Sequence, residues 1–211
     1  LITSWRAVYT PTEVAKALPF TPRPSADLAG RWPDEDVDGF LGNEEPPRFS
    51  EILALTINAL DQAMEFPRAE HGTLIAVWSL ASYFLPLFLT FPRLNLSGEK
   101  ECGKSKLLTL LRATAWNALL MLNPTPAVLY RLVQEFKPTL LLDEVEGLSK
   151  EDARDVLAII NSGYKAGGSV PRCEGERKTR VELFPVYSPL ALAAIKNVHA
   201  VTEDRCIPLA L

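Results

Sequence analysis

Metal-binding and redox side chains are scarce. The 211-residue chain holds two histidines and three cysteines, and His71 has no second histidine near it in sequence. Cys102, Cys173 and Cys206 are odd in number, scattered and without C-x-x-C spacing. That pattern argues against a disulfide framework or a zinc site and suits a reducing cytosol, so a cytoplasmic protein is expected. Positive charge is also short. Lys and Arg total 22 against 26 Asp and Glu, a net charge of −4, which excludes a strongly basic nucleic-acid binder but not a local basic patch. No secretory signal is visible, and the chain begins at Leu1, so it is read as a piece of a longer polypeptide.

One stretch lacks charge altogether. Residues 73–92 are long enough to span a bilayer, yet they include Ser79, Ser82, Tyr83, Pro86 and Thr90 and run directly into a glycine loop. We read a buried helix over residues 73–84 with a turn at Pro86, and no membrane span.

With 47% hydrophobic and 23% charged residues, the rest suits one globular domain with an appended N-terminal segment. Its organising stretch is Gly98-Glu99-Lys100-Glu101-Cys102-Gly103-Lys104-Ser105, the G-x-x-x-x-G-K-S pattern of a phosphate-binding loop. Residues 93–97 before it can form a short strand, and leucines 107, 108, 110 and 111 give the following segment, 106–116, a buried helix face. The glycines let the backbone turn so that amides and the helix N-terminus face phosphate oxygens. Lys104 is then expected to reach the β- and γ-phosphates of ATP, with the Ser105 hydroxyl on Mg²⁺.

Residues 1–49, with seven prolines from Pro11 to Pro47 and the acidic run at positions 34–38, read as an arm or linker with a short helix over 14–18. Ser50 is the expected N-cap of a helix over 51–65, and a second helix over 73–84 completes a helical segment, 50–90; His71 falls in the connection as a capping or surface residue. The nucleotide-binding core is expected over 91–211. Within it, 118–122 reads as a strand, Thr125-Pro126 starts a helix to about Phe136, and Thr139-Leu140-Leu141-Leu142-Asp143-Glu144 reads as a fully buried parallel strand ending in two carboxylates. At a strand's carboxyl end, beside a phosphate loop, Asp143 suits holding Mg²⁺ through water and Glu144 suits polarising an attacking water. A helix from Ser149 to about Asn161 follows, then a hairpin of strands 169–172 and 179–184. The hairpin gathers Arg172, Arg177, Lys178 and Arg180, with Lys165 nearby. It is either a solvated hairpin interspersed with Glu174, Glu176 and Glu182 or a loop that touches a phosphate backbone. Residues 190–195 read as another buried strand ending at Lys196-Asn197, and Arg205 precedes a last strand, 206–211.

This order resembles the AAA+ and superfamily 3 helicase ATPases, and more closely an ATPase domain of phage, plasmid and mobile-element primase–helicase proteins. The matching pieces are Pro92-Arg93-Leu94, the phosphate loop, Thr125-Pro126-Ala127-Val128-Leu129-Tyr130-Arg131, Pro138 through Glu144, Asn161-Ser162-Gly163-Tyr164, Gly167 through Arg172, and Asp204-Arg205-Cys206-Ile207. The resemblance implies an α/β P-loop NTPase with a doubly wound, mainly parallel sheet and the loop at its centre, preceded by an N-terminal helical segment. It implies assembly into a ring, commonly hexameric, with Asn197 as a sensor of the γ-phosphate or attacking water and Arg205 acting across the subunit boundary. It places the basic hairpin (Arg172, Arg177, Lys178, Arg180) where such helicases contact single-stranded DNA. A DNA motor is therefore expected; a regulatory ATPase switching the assembly of a protein partner and, more remotely, a small-molecule kinase are the other readings.

Overall fold

The computed structural model describes residues 34–42, 45–143, 150–174, 180–193 and 204–211. The chain divides into two compact units, residues 1–52 and 53–211.

In the first unit the acidic run is helical and not extended. It forms helix α1 (Asp34–Leu41), closed by the Gly42 N–H donating to the Asp38 carbonyl at 2.7 Å. Carboxylates at Glu35 and Asp36 sit at the positive end of the helix dipole, which offsets the low helix propensity of such a run. The helix expected over 14–18 lies outside the described residues.

Helix α2 (Phe49–Ala63) crosses from the first unit into the second. Ser50 is not its cap. The Arg48 N–H donates to Glu51 Oε2 at 3.0 Å and the Ile52 N–H to the Arg48 carbonyl at 3.1 Å, so the chain is capped from Arg48 by a carboxylate reaching back.

In the second unit α3 (Ala69–Ala81) passes into a 3-10 turn, Ser82–Leu87, containing the expected break at Pro86. No helix among the described residues is long and apolar enough to cross a membrane. The uncharged stretch is instead pinned by its polar atoms. The Trp78 indole N–H donates to the Pro92 carbonyl at 2.7 Å, and Ser82 Oγ accepts the Trp116 N–H at 2.8 Å.

Five parallel strands form the main sheet: β1 (Arg93–Ser97), β2 (Ala118–Leu122), β3 (Thr139–Asp143), β6 (Leu190–Ala193) and β7 (Cys206–Ala210), ordered β2-β3-β6-β1-β7. The loop-bearing β1 thus lies one strand in from the β7 edge, and β6 holds the centre. Between β1 and β3 come α4 (Lys104–Thr114) and α5 (Pro126–Phe136). Between β3 and β6 come α6 (Lys150–Ser162) and an antiparallel hairpin, β4 (Ser169–Glu174) with β5 (Arg180–Pro185).

Side-chain alternation along the strands builds a core on each face of the sheet. Leu94, Leu96, Leu141, Ala191 and Leu209 meet Leu107, Leu108 and Leu111 of α4 and the helices before β1. Leu140, Leu142, Leu190 and Leu192 meet Leu129 and Val133 of α5, Ile159 and Ile160 of α6, and Val170 and Phe184 of the hairpin. Each leucine so buried contributes roughly 1.5–3 kcal/mol. Helices on both faces of a parallel sheet, with the glycine loop joining β1 to α4, make the fold a doubly wound α/β fold with a P-loop between its first strand and the helix that follows.

Candidate nucleotide site

The loop's geometry follows from three residues with positive φ. Gly98 (φ 155°), Glu101 (φ 67°) and Gly103 (φ 100°) turn the chain from the end of β1 into α4, with Gly103 as the helix N-cap. A methyl group at Gly98 would lie 2.5 Å from Cys102 Sγ and 2.7 Å from the Leu211 carbonyl, so the residue is fixed by space as well as by dihedral. Beyond Gly103 the first amides of α4 stand at the positive end of its dipole, the arrangement that receives phosphate.

Lys104 opens α4 and folds back over the loop. Its ammonium donates to the carbonyls of Gly98 (2.8 Å) and Glu99 (2.7 Å) and lies 3.3 Å from Cys102 Sγ. The cation is therefore held at the mouth of the loop. Glu99, Lys100 and Glu101 are exposed on its rim, and Ser105 is exposed in the first turn of α4.

Strand register sets the second half of the site. Leu142 pairs with Leu192 and Leu96 with Ala193, so Asp143, Ala193 and Leu96 are level across three strands. Asp143 thus leaves the same edge as the loop, about 10 Å away by two strand spacings. It is half-buried. An exposed serine hydroxyl and a strand-end carboxylate are hard oxygen donors of the kind that hold Mg²⁺ together with phosphate. Among the described residues no three His, Cys, Asp or Glu side chains gather into a dedicated metal cage. Glu144 and Asn197 lie outside the described residues.

Beside the root of the loop, a cleft of about 560 Å³ opens between the amino-terminal end of α3 (Arg68, Glu70, His71, Leu74) and β7 (Ile207, Leu209). The Leu209 carbonyl accepts the Ser97 hydroxyl at 3.5 Å, immediately before the loop. His71 belongs to this helix, not to a connection, and its Nδ1 is buried without a partner among the described residues.

Arg205 stands at the other end of the sheet. Cys206 is level with Arg93, at the start of β1, so the arginine lies about 17 Å from its own chain's loop by strand rise. Its Nη1 donates to the Asn161 carbonyl at 2.7 Å, and its guanidinium carbon is 4.5 Å from the centre of the Tyr164 ring.

The described hairpin residues do not form one basic surface. Arg172 is engaged: Nη2 pairs with Asp155 Oδ2 at 3.1 Å, Nη1 donates to the Pro171 carbonyl, and the guanidinium lies 5.7 Å from the Tyr130 ring centre. Arg180 is exposed, while Arg177 and Lys178 lie outside the described residues. The hairpin's outward face carries Val181 and Leu183, each 64% exposed, with Pro171 and Cys173 as their cross-strand partners. Sequence reading missed that face; the alternation of Val181 and Leu183 with buried Phe184 was its only trace.

The chain matches no protein-family model and no curated protein. Among solved structures it is similar to a Thermotoga maritima RuvB Holliday junction branch migration motor, at 11% identity and a TM-score of 0.44. That match covers 69% of this chain and 45% of the other, so the chain spans less than half the length of that protein.

Proposed function

We propose that the chain is a Mg²⁺-dependent ATP hydrolase working as a ring-forming, helicase-like DNA motor. The observation that carries the hydrolase reading is Lys104, clamped over a glycine loop at a helix N-terminus, with Asp143 level on the same sheet edge. The loop amides and Lys104 would bind the phosphates of ATP, and Ser105 and Asp143 would hold Mg²⁺, which would supply positive charge against the negative charge of the transferring phosphate. Glu144 takes the proton of the attacking water, and Asn197 orients that water or the γ-phosphate. Arg205, too far from its own loop to act there, serves the loop of the next subunit. That gives a head-to-tail interface, the kind that closes into rings, and a hexamer is the expected count. Single-stranded DNA meets the hairpin through Arg172, Arg177, Lys178 and Arg180.

The test is ATP turnover with Mg²⁺ in the wild type and in Glu144→Gln. The variant is expected to bind ATP but not to hydrolyse it. Unchanged turnover in Glu144→Gln would remove the assigned base.

One observation favours a second reading. Arg172 is occupied by Asp155 and the hairpin's outward face is apolar at Val181 and Leu183, a surface suited to protein. On this reading ATP switches the assembly state of a protein partner, and turnover is indifferent to DNA.

A further inference from the structure

Several sequence segments with no part in the phosphate loop meet at one place, the amino-terminal edge of the sheet. Asn161-Ser162-Gly163-Tyr164 ends α6, Pro92-Arg93 starts β1, and Arg205-Cys206 starts β7. Main-chain bonds tie them together. The Arg93 N–H donates to the Arg205 carbonyl (3.1 Å), the Phe91 N–H to Tyr164 (2.9 Å) and the Ala166 N–H to Leu89 (2.8 Å). The Ser188 N–H donates to Gly163 at 3.3 Å and the Val186 N–H to Gly168 at 3.0 Å, which joins the exit of the hairpin to the same turn. Tyr164 therefore sits on a backbone fixed from both sides, and its ring carries the guanidinium of Arg205.

Beneath it is a second cation. Arg93 is 1% exposed, with Nε and Nη1 lacking a hydrogen-bond partner among the described residues. Its Nη2 lies 3.0 Å from where a Cβ on Gly163 would stand, and the Val186 carbonyl blocks that position as well. A residue larger than glycine there would push the turn, and Tyr164 with it, away from the sheet.

We infer that Tyr164 is the positioning residue for Arg205, a platform that holds the guanidinium at the subunit's edge for the neighbouring subunit's nucleotide. Stacking on one face and one N–H bond to Asn161 fix the plane of the guanidinium without using its charge on a carboxylate among the described residues. Because the same turn receives the hairpin's exit strand, a displacement of the hairpin reaches Arg205 through Tyr164. The inference rests on the reading that Arg205 acts in trans.

Mixed assemblies test it. Tyr164→Leu is expected to lose at least tenfold in ATP turnover with ATP affinity unchanged, and Tyr164→Phe to keep turnover. Lys104→Ala has a dead loop but an intact Arg205. Mixing it one to one with Tyr164→Leu should restore roughly a quarter of wild-type turnover, since half the loops work and half of those face an intact platform across a head-to-tail interface. A variant that has lost its fold would not be rescued. Arg205→Ala mixed with Lys104→Ala is the control. If that pair recovers and the Tyr164→Leu pair does not, Tyr164 has no positioning role; wild-type turnover in Tyr164→Leu alone overturns it too. If Arg205→Ala keeps full turnover, or its mixture with Lys104→Ala stays inactive, the trans-acting arginine itself is wrong.

Discussion

Lys104 and Gly98, six residues apart, are joined by a 2.8 Å hydrogen bond from the ammonium to the glycine carbonyl. The bond closes the phosphate loop on itself and sets the cation where a terminal phosphate would arrive. Lys104→Ala is therefore expected to reduce ATP hydrolysis by at least ~10²-fold, the scale for losing one donor to developing charge. Its thermal midpoint should stay close to wild type, because among the described residues the ammonium bonds only to its own loop. A large drop in midpoint would mean that Lys104 serves the fold instead.

The two loop glycines fail for different reasons. Gly103→Ala keeps its space but strains a left-handed residue, costing about 1–2 kcal/mol in a urea melt. Gly98→Ala adds a collision with Cys102 and the Leu211 carbonyl and is expected to abolish binding of a fluorescent ATP analogue. Equal, mild effects at both positions would contradict the loop geometry.

Arg93 makes a prediction with a definite sign. Burial, the largest cause, depresses its pKa from the ordinary arginine range to about 10, with Cys206 opposing and neighbouring Arg205 adding to the shift. The unfolded chain thus binds the proton more tightly, so the penalty is fully present below about pH 10 and is relieved as pH rises from there toward the ordinary arginine value. Arg93→Met, which removes the charge and keeps the bulk, should at neutral pH be as stable as wild type or up to about 4 kcal/mol more stable in urea melts. A clear loss of stability would reveal a buried partner for the guanidinium.

The doubly wound core was legible because its signals are local. The glycine loop between the β1 and α4 patterns, the three leucines before Asp143 and the proline at the start of α5 each depend on a few adjacent residues. What escaped depends on tertiary contact. Arg172 meets Asp155 only because the hairpin folds back on α6, which no spacing in the sequence records. Arg93 read as an ordinary strand residue, and nothing local told that it would be enclosed under Gly163. The helix over the acidic run was hidden by its composition, and the order of the strands by the absence of any local code for which neighbour each would take.

Arg177 and Lys178 carry the expected contact with DNA. Replacing both with alanine should weaken single-stranded DNA binding and flatten its dependence on salt by about one or two released ions. Binding with unchanged affinity and salt slope would take the hairpin out of the DNA path.

The most direct test of the account is ATP turnover with Mg²⁺, measured with and without single-stranded DNA, with Arg205→Ala alongside. The account predicts turnover that DNA stimulates strongly and that falls to background in the arginine variant. Turnover that ignores DNA and survives the loss of Arg205 would contradict both the motor and its shared site.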